Sequence, residues 1–270
     1  MIGIEIGTVK IDLMVAPKPL AEMIIERYRE YLAEGSSQYS VNLEWEPLVT
    51  GENFPDQTLH QAEGRYEKGV YVIASPSYSA TIDQNSSRAE LQFRSSRPLE
   101  DIDYFLRIVV SHGLLGTGGF LFHSAGIVWQ KKAFLFFGKS GSGKTTTVRH
   151  AGNRLILSDD LVGVLPSDEN VIAHSTPFWN RGWAQQAKTS ALVAGFYRLV
   201  KSQTVSVEPI RESIAVSEIL SSIPIVPQNK DFCAQLIPTI QSMIEKVGVH
   251  YLHLRKDDAY WDVLRLGANN

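Results

Sequence analysis

The sequence predicts an α/β protein with a mixed sheet, in which a phosphate-binding loop joins a buried strand to a short helix and a sheet-rich lobe comes first. Three observations carry that reading. Gly138-Lys139-Ser140-Gly141-Ser142-Gly143-Lys144-Thr145 fits the pattern G-x-x-x-x-G-K-[ST] without a mismatch. The apolar run Ala133-Phe134-Leu135-Phe136-Phe137 stands directly before it, and a helix-compatible stretch from Lys144 to about Ala151 directly after it. The next apolar run, Arg154-Leu155-Ile156-Leu157-Ser158, ends in Asp159-Asp160.

The chain has 270 residues, enough for one large domain or two small ones. We expect residues 1–97 to form an accessory α+β lobe and residues 98–270 to form the core with its C-terminal helices. A hydrophobic fraction of 44% with 20% charged residues is that of an ordinary globular protein. A net charge of −3 gives no basic field for nucleic acid. The single cysteine, Cys233, excludes an intrachain disulfide and a multi-cysteine zinc site. No apolar run reaches the roughly twenty residues of a membrane span. The first residues, Met1-Ile2-Gly3-Ile4-Glu5, carry no signal-peptide pattern. A cytoplasmic enzyme or ATP-dependent regulator is the expectation.

In the lobe, Ile4 to Val15 alternates as one or two strands. Leu20, Met23, Ile24, Tyr28 and Leu32 recur at helical spacing, and Glu34-Gly35-Ser36-Ser37 stops that helix. Val41 to Trp45 alternates as a strand, a polar loop runs from Thr50 to about Gly64, and Val70–Ile73, Ser79–Ile82 and Ala89–Phe93 form a meander. Little in this lobe looks catalytic.

Pro98 to Leu115 reads as an amphipathic helix, opened by proline and closed by Gly116 and Gly118-Gly119. Phe120 to Trp129 reads as two strand pieces with a kink at Gly126. His123 is a polar residue in that apolar run. It reads either as a core histidine bonded to backbone or as a group serving the phosphate loop. Beyond the loop, Leu161–Leu165 and Val171–His174 form a hairpin, followed by the loop Ser175 to Trp183 with Arg181 among aromatics, Pro and Gly. Ala184 to Leu199 is expected to be helical, Val205–Val207 extended, Ile210 to Ile223 and Asp231 to Val247 helical, Val249 to Leu254 a strand and Asp257 to Leu264 a last helix.

The loop pattern has a physical logic. Gly138, Gly141 and Gly143 lack Cβ, so the backbone can take positive φ and turn its N–H groups toward an anion. Lys144 can reach the β- and γ-phosphates, and the Thr145 hydroxyl can ligate Mg²⁺. Lys139, Ser140, Ser142 and Thr146 complete the predicted nucleotide contact. Asp159 and Asp160, at the end of the adjacent strand, suit Mg²⁺ binding and proton abstraction, or else mark an ordinary turn. Arg181 reads either as a cation over a bound phosphate or as a surface arginine.

His123 in its apolar strand, the glycine loop, the short helix and Asp159-Asp160 soon after it together resemble HPr kinase/phosphorylase and its relatives, which share a fold with phosphoenolpyruvate carboxykinase. The resemblance spans about residues 110–180. It implies that Gly138 to Thr145 bind ATP phosphates and Mg²⁺. It implies that Asp159 is the general base, that Asp160 supports Mg²⁺ and Lys144, and that His123 positions Asp159 or the phosphates. It also implies a homo-oligomer. The chain departs from that family in two places. Thr145-Thr146-Thr147 stand where an acidic residue follows the lysine-serine pair, and the Glu-Ile-Arg-Gly-Leu-Gly signature is reduced to Arg181-Gly182. The Ser-Thr-Pro-Phe-Trp stretch is similar to HPr-kinase-related proteins that phosphorylate a serine on precursor peptides, lasso-peptide precursors among them. The expected activity is transfer of the ATP γ-phosphate to a serine hydroxyl on a peptide or small protein, without nucleic-acid or membrane partners. A small-molecule kinase and a nucleotide-gated binding module are the alternatives.

Overall fold

A computed structural model describes residues 1–48, 64–75, 77–180, 187–224 and 230–267, apart from the side chains of 230–233 and 266–267. The chain forms two compact units, one built on Met1–Gly113 and the other on Leu114–Val226 and Asp231–Asn270. Among the described residues no helix is long and apolar enough to cross a membrane.

The first unit is a seven-stranded mixed sheet. Its strands are β1 (Ile2–Ile6), β2 (Val9–Ala16), β3 (Tyr39–Glu46), β4 (Gly64–Glu67), β5 (Val70–Ser75), β6 (Tyr78–Asp83) and β7 (Arg88–Arg94), in spatial order β1-β2-β3-β7-β6-β5-β4. Strands β2, β3 and β7 run parallel, and the rest pair as hairpins. Helix α1 (Lys18–Arg27) makes the crossover from β2 to β3 and is shorter than the apolar spacing suggests, because Arg29–Tyr31 tightens into a single 3₁₀ turn. Strand β4 begins at the last residue of the stretch expected to be a loop.

Helix α2 (Pro98–Leu115) lies mostly with this unit, so the boundary expected at 97/98 falls at Gly113/Leu114 instead. Polar anchors explain why. The Tyr78 hydroxyl donates to Asp101 at 3.2 Å, and Arg27 pairs with Asp103 at 2.8 Å.

His112, near the end of α2, is buried with its Nδ1 against the Gln84 amide. Burial pulls its imidazolium down to about 4 from the ordinary 6.5. An unfolded chain takes up that proton near pH 6.5, whereas the folded one resists until about pH 4. Stability should therefore be fully present above pH 6.5 and fall as pH drops through that window, by up to about 3 kcal/mol. Urea titrations at pH 7 and pH 4.5 on wild type and His112→Gln measure it. The variant should lose less stability across that interval, and parallel losses would contradict the assignment.

The second unit is an eight-stranded mixed sheet. Its strands are β8 (Phe120–Trp129), β9 (Lys132–Phe137), β10 (Leu155–Ser158), β11 (Leu161–Pro166), β12 (Val171–His174), β13 (Ser190–Lys201), β14 (Ser206–Pro209) and β15 (Val249–Leu254). Strand β8 divides its partners. Phe120–His123 pairs with β11, while Ser124–Trp129 pairs with β9 and in part with β10. Strand β13 pairs with β12 at its start and with β9 and β15 further on, so the pairings β8-β11-β12-β13-β9-β8 close into a ring.

Strand β8 stays continuous through Gly126, where a kink was expected. That glycine serves close approach, since a Cβ there would meet Val162 at 2.9 Å and Leu157 at 3.1 Å. The main correction is β13. Ala184 to Leu199 was expected to be helical, yet Ser190–Lys201 is a twelve-residue strand. Its Val193, Phe196, Tyr197 and Leu199 bury on both faces between parallel neighbours, and that packing overrides the helix-like spacing of its alanines and leucines.

From Ala133 to its end, strand β9 is apolar because both its faces are covered. Ala133, Leu135 and Phe137 enter one core, shared with helices α4 (Glu212–Leu220) and α5 (Lys230–Val247). Phe134 and Phe136 enter another, shared with Val148 of helix α3 (Lys144–Arg149) and with Tyr260 and Trp261 of helix α6 (Tyr260–Gly267). This two-sided burial fixes the end of β9, from which the glycine loop departs.

Candidate functional site

The loop Gly138–Gly143 links β9 to α3, the strand–loop–helix arrangement the motif needs. Gly138, Gly141 and Gly143 have φ of 147°, 74° and 120°, which side chains rarely tolerate. Ser142 N–H donates to Lys139 O at 3.0 Å and closes the turn. Lys139, Ser140 and Gly141 are exposed, Thr145 and Thr146 half-buried. The Ser142 hydroxyl is buried without a hydrogen-bond partner.

Lys144 is 9% exposed, and its Nζ donates to Gly138 O at 2.8 Å, folding the ammonium back over the loop. Burial pulls that ammonium below the usual lysine range, Asp160 opposes the pull, and the Arg198 charge adds to it. Helix α3 is anchored from α6, where the Tyr260 hydroxyl donates to Thr147 O at 3.1 Å and Trp261 Nε1 to His150 O at 3.2 Å.

The two aspartates follow β10 and have different surroundings. Asp159 is 2% exposed, and its oxygens accept the Asn180 backbone N–H at 2.8 Å and the Asn180 Nδ2 at 3.0 Å. Asp160 is less buried, and His123 Nε2 lies 3.5 Å from its Oδ1. The backbone between them is held by Ser158, whose hydroxyl accepts the N–H of Asp160 and Leu161 and donates to Phe178 O. Asp160 O accepts Ser124 N–H from β8, and Ser222 O, just past α4, accepts His123 N–H. Hydrogen bonds from three directions thus set the carboxylate pair.

The structure brings His123 to Asp160 and places Asp160 within electrostatic reach of Lys144. Arg181 lies outside the described residues. Among the described residues, no group of three or more His, Cys, Asp and Glu is arranged to hold a metal. Asn180 and Arg198 were missed by the sequence reading. Asn180 has no distinguishing motif. Arg198 was hidden by the helix assignment, although Phe196, Tyr197 and Val200 around it are residue types enriched in strands.

No family model matches the sequence, and no curated protein matches it. In structure, the chain is similar to the Hpr(Ser) kinase/phosphatase from Coxiella burnetii, with 12% identity and a TM-score of 0.32 over 55% of this chain and 94% of that one.

Proposed function

We propose that the protein is an ATP- and Mg²⁺-dependent kinase that transfers a γ-phosphoryl group to a serine-type hydroxyl on a peptide or small protein. The observation that supports this most is the Lys144 ammonium folded over the glycine loop, with Asp160 its opposing charge and Asp159 adjacent at the end of β10. In this reading Lys144 and the N–H groups of Gly138–Thr145 bind the phosphates. Mg²⁺, when bound, neutralises phosphate charge, and Thr145 with Asp160 would hold it. Two oxygen donors suit an ion that keeps several waters and takes its other ligands from phosphate.

The acceptor oxygen forms a bond to the γ-phosphorus as the bond to the β–γ bridging oxygen breaks and ADP leaves. The hydroxyl proton passes to Asp159. A carboxylate oxygen has two lone pairs, so the two Asn180 hydrogen bonds orient Asp159 and leave room for a proton. His123 steadies Asp160. Arg181, next in the chain to Asn180, is assigned to charge that develops on the transferred group. A cytoplasmic setting belongs to the same reading.

The acceptor class is tested by intact-mass measurement after incubation with MgATP and, separately, HPr, a serine-containing precursor peptide or free serine. The expected result is an adduct of about 80 Da on a peptide or protein acceptor. An adduct on free serine alone would replace the acceptor with a small molecule. Tight MgATP binding with no adduct on any acceptor would replace the kinase with a nucleotide-gated binding module.

A further inference from the structure

Arg198 sits near the end of β13, in register with Phe137, the last residue before the glycine loop. It shares a strand face with Phe196, whose side chain enters the core beneath α4. From that face Arg198 Nε donates to Glu218 Oε2 of α4 at 2.8 Å, and Nη1 donates to Leu199 O at 3.0 Å. The side chain is 16% exposed. Nη1 also lies 2.8 Å from where a Cβ on Gly138 would stand, and Ser142 Oγ lies 3.0 Å from the same point. Gly138 O is in turn the atom that receives Lys144 Nζ.

Two cations and a buried, unpartnered hydroxyl therefore surround one glycine. Like charges in a half-buried setting repel, and the Arg198 charge does act on Lys144. Asp160 and Glu218 each offset one of them, but neither uses up the guanidinium. It has five N–H donors, and among the described residues only the Glu218 and Leu199 bonds engage it. An anion at the loop would relieve the repulsion and take up these donors.

We propose that Arg198, oriented by Glu218, is a second phosphate-binding cation of the glycine loop, and that its ligand is the polyphosphate of a nucleoside triphosphate. The nucleotide part of this proposal rests on the kinase reading above. The competing role is a purely structural tie from β13 to α4.

Calorimetric titration of the whole protein with pyrophosphate, and separately with MgATP, tests it on wild type, Arg198→Gln, Arg198→Lys and the double variant Arg198→Gln/Glu218→Gln. Losing a charged hydrogen bond should weaken both ligands about 10- to 100-fold in Arg198→Gln. Arg198→Lys should recover part of that loss. The double variant removes the lone Glu218 charge, so it should regain thermal stability without regaining affinity. Wild-type pyrophosphate affinity in Arg198→Gln, or affinity restored together with stability in the double variant, would overturn the proposal. Wild-type binding of pyrophosphate but not MgATP would overturn the kinase reading and leave Arg198 supported by the pyrophosphate series. Binding of neither would overturn both.

Discussion

Asp159→Asn should lower phosphoryl transfer about 10²- to 10⁴-fold, the usual contribution of a general base, while MgATP still binds. The substitution keeps the shape of a side chain that is 2% exposed and removes its capacity to take a proton. It also exposes the role of Asn180, whose two N–H donors now meet an amide with a single acceptor oxygen. Some thermal stability should be lost for that reason, so the transfer rate is to be read below the variant's own unfolding transition. Asp160→Asn separates the two carboxylates. It leaves the Asn180 contacts in place and withdraws the charge opposing Lys144, so it should act on MgATP binding more than Asp159→Asn does. Near-wild-type turnover by Asp159→Asn would remove the base assignment.

Lys144→Met should lose transfer about 10²- to 10³-fold, the scale seen when one group that stabilises transition-state charge is deleted, and should weaken MgATP binding as well. Methionine fills much of the space of the buried lysine stem, so the fold should survive. The change leaves Gly138 O without its donor and the Arg198 guanidinium without a like charge beside it. Lys131→Ala, in the exposed turn before β9, is the control and should change neither quantity. Equal MgATP affinity in Lys144→Met and wild type, measured by calorimetry, would contradict the loop assignment.

The strand–loop–helix unit was legible because glycines, lysine and the apolar run before them are local signals. The β8, β10 and β11 strands were legible for the same reason, as were α2 and the apolar face of α5 formed by Leu236, Ile240, Met243 and Ile244. Strand β13 was not. Its alanines and leucines fall at helical spacing, and only its parallel neighbours β9 and β15 decide the matter. That error hid Arg198, whose meaning depends on lying in register with Phe137. The boundary at Gly113 was equally out of reach, since it depends on contacts such as Arg27 with Asp103, 76 residues apart. Asp159-Asp160 could be found from sequence, but not the different partners that surround each carboxylate. Asn180 reaches Asp159 from 21 residues away, and His123 reaches Asp160 from strand β8.

The most direct test of the account is time-resolved ³¹P NMR of the protein with MgATP and an excess of a serine-containing peptide. A phosphomonoester resonance should grow in step with ADP, and at least about 10²-fold more slowly with Asp159→Asn. ATP that stays intact, or that yields only ADP and inorganic phosphate with every hydroxyl acceptor supplied, would contradict it.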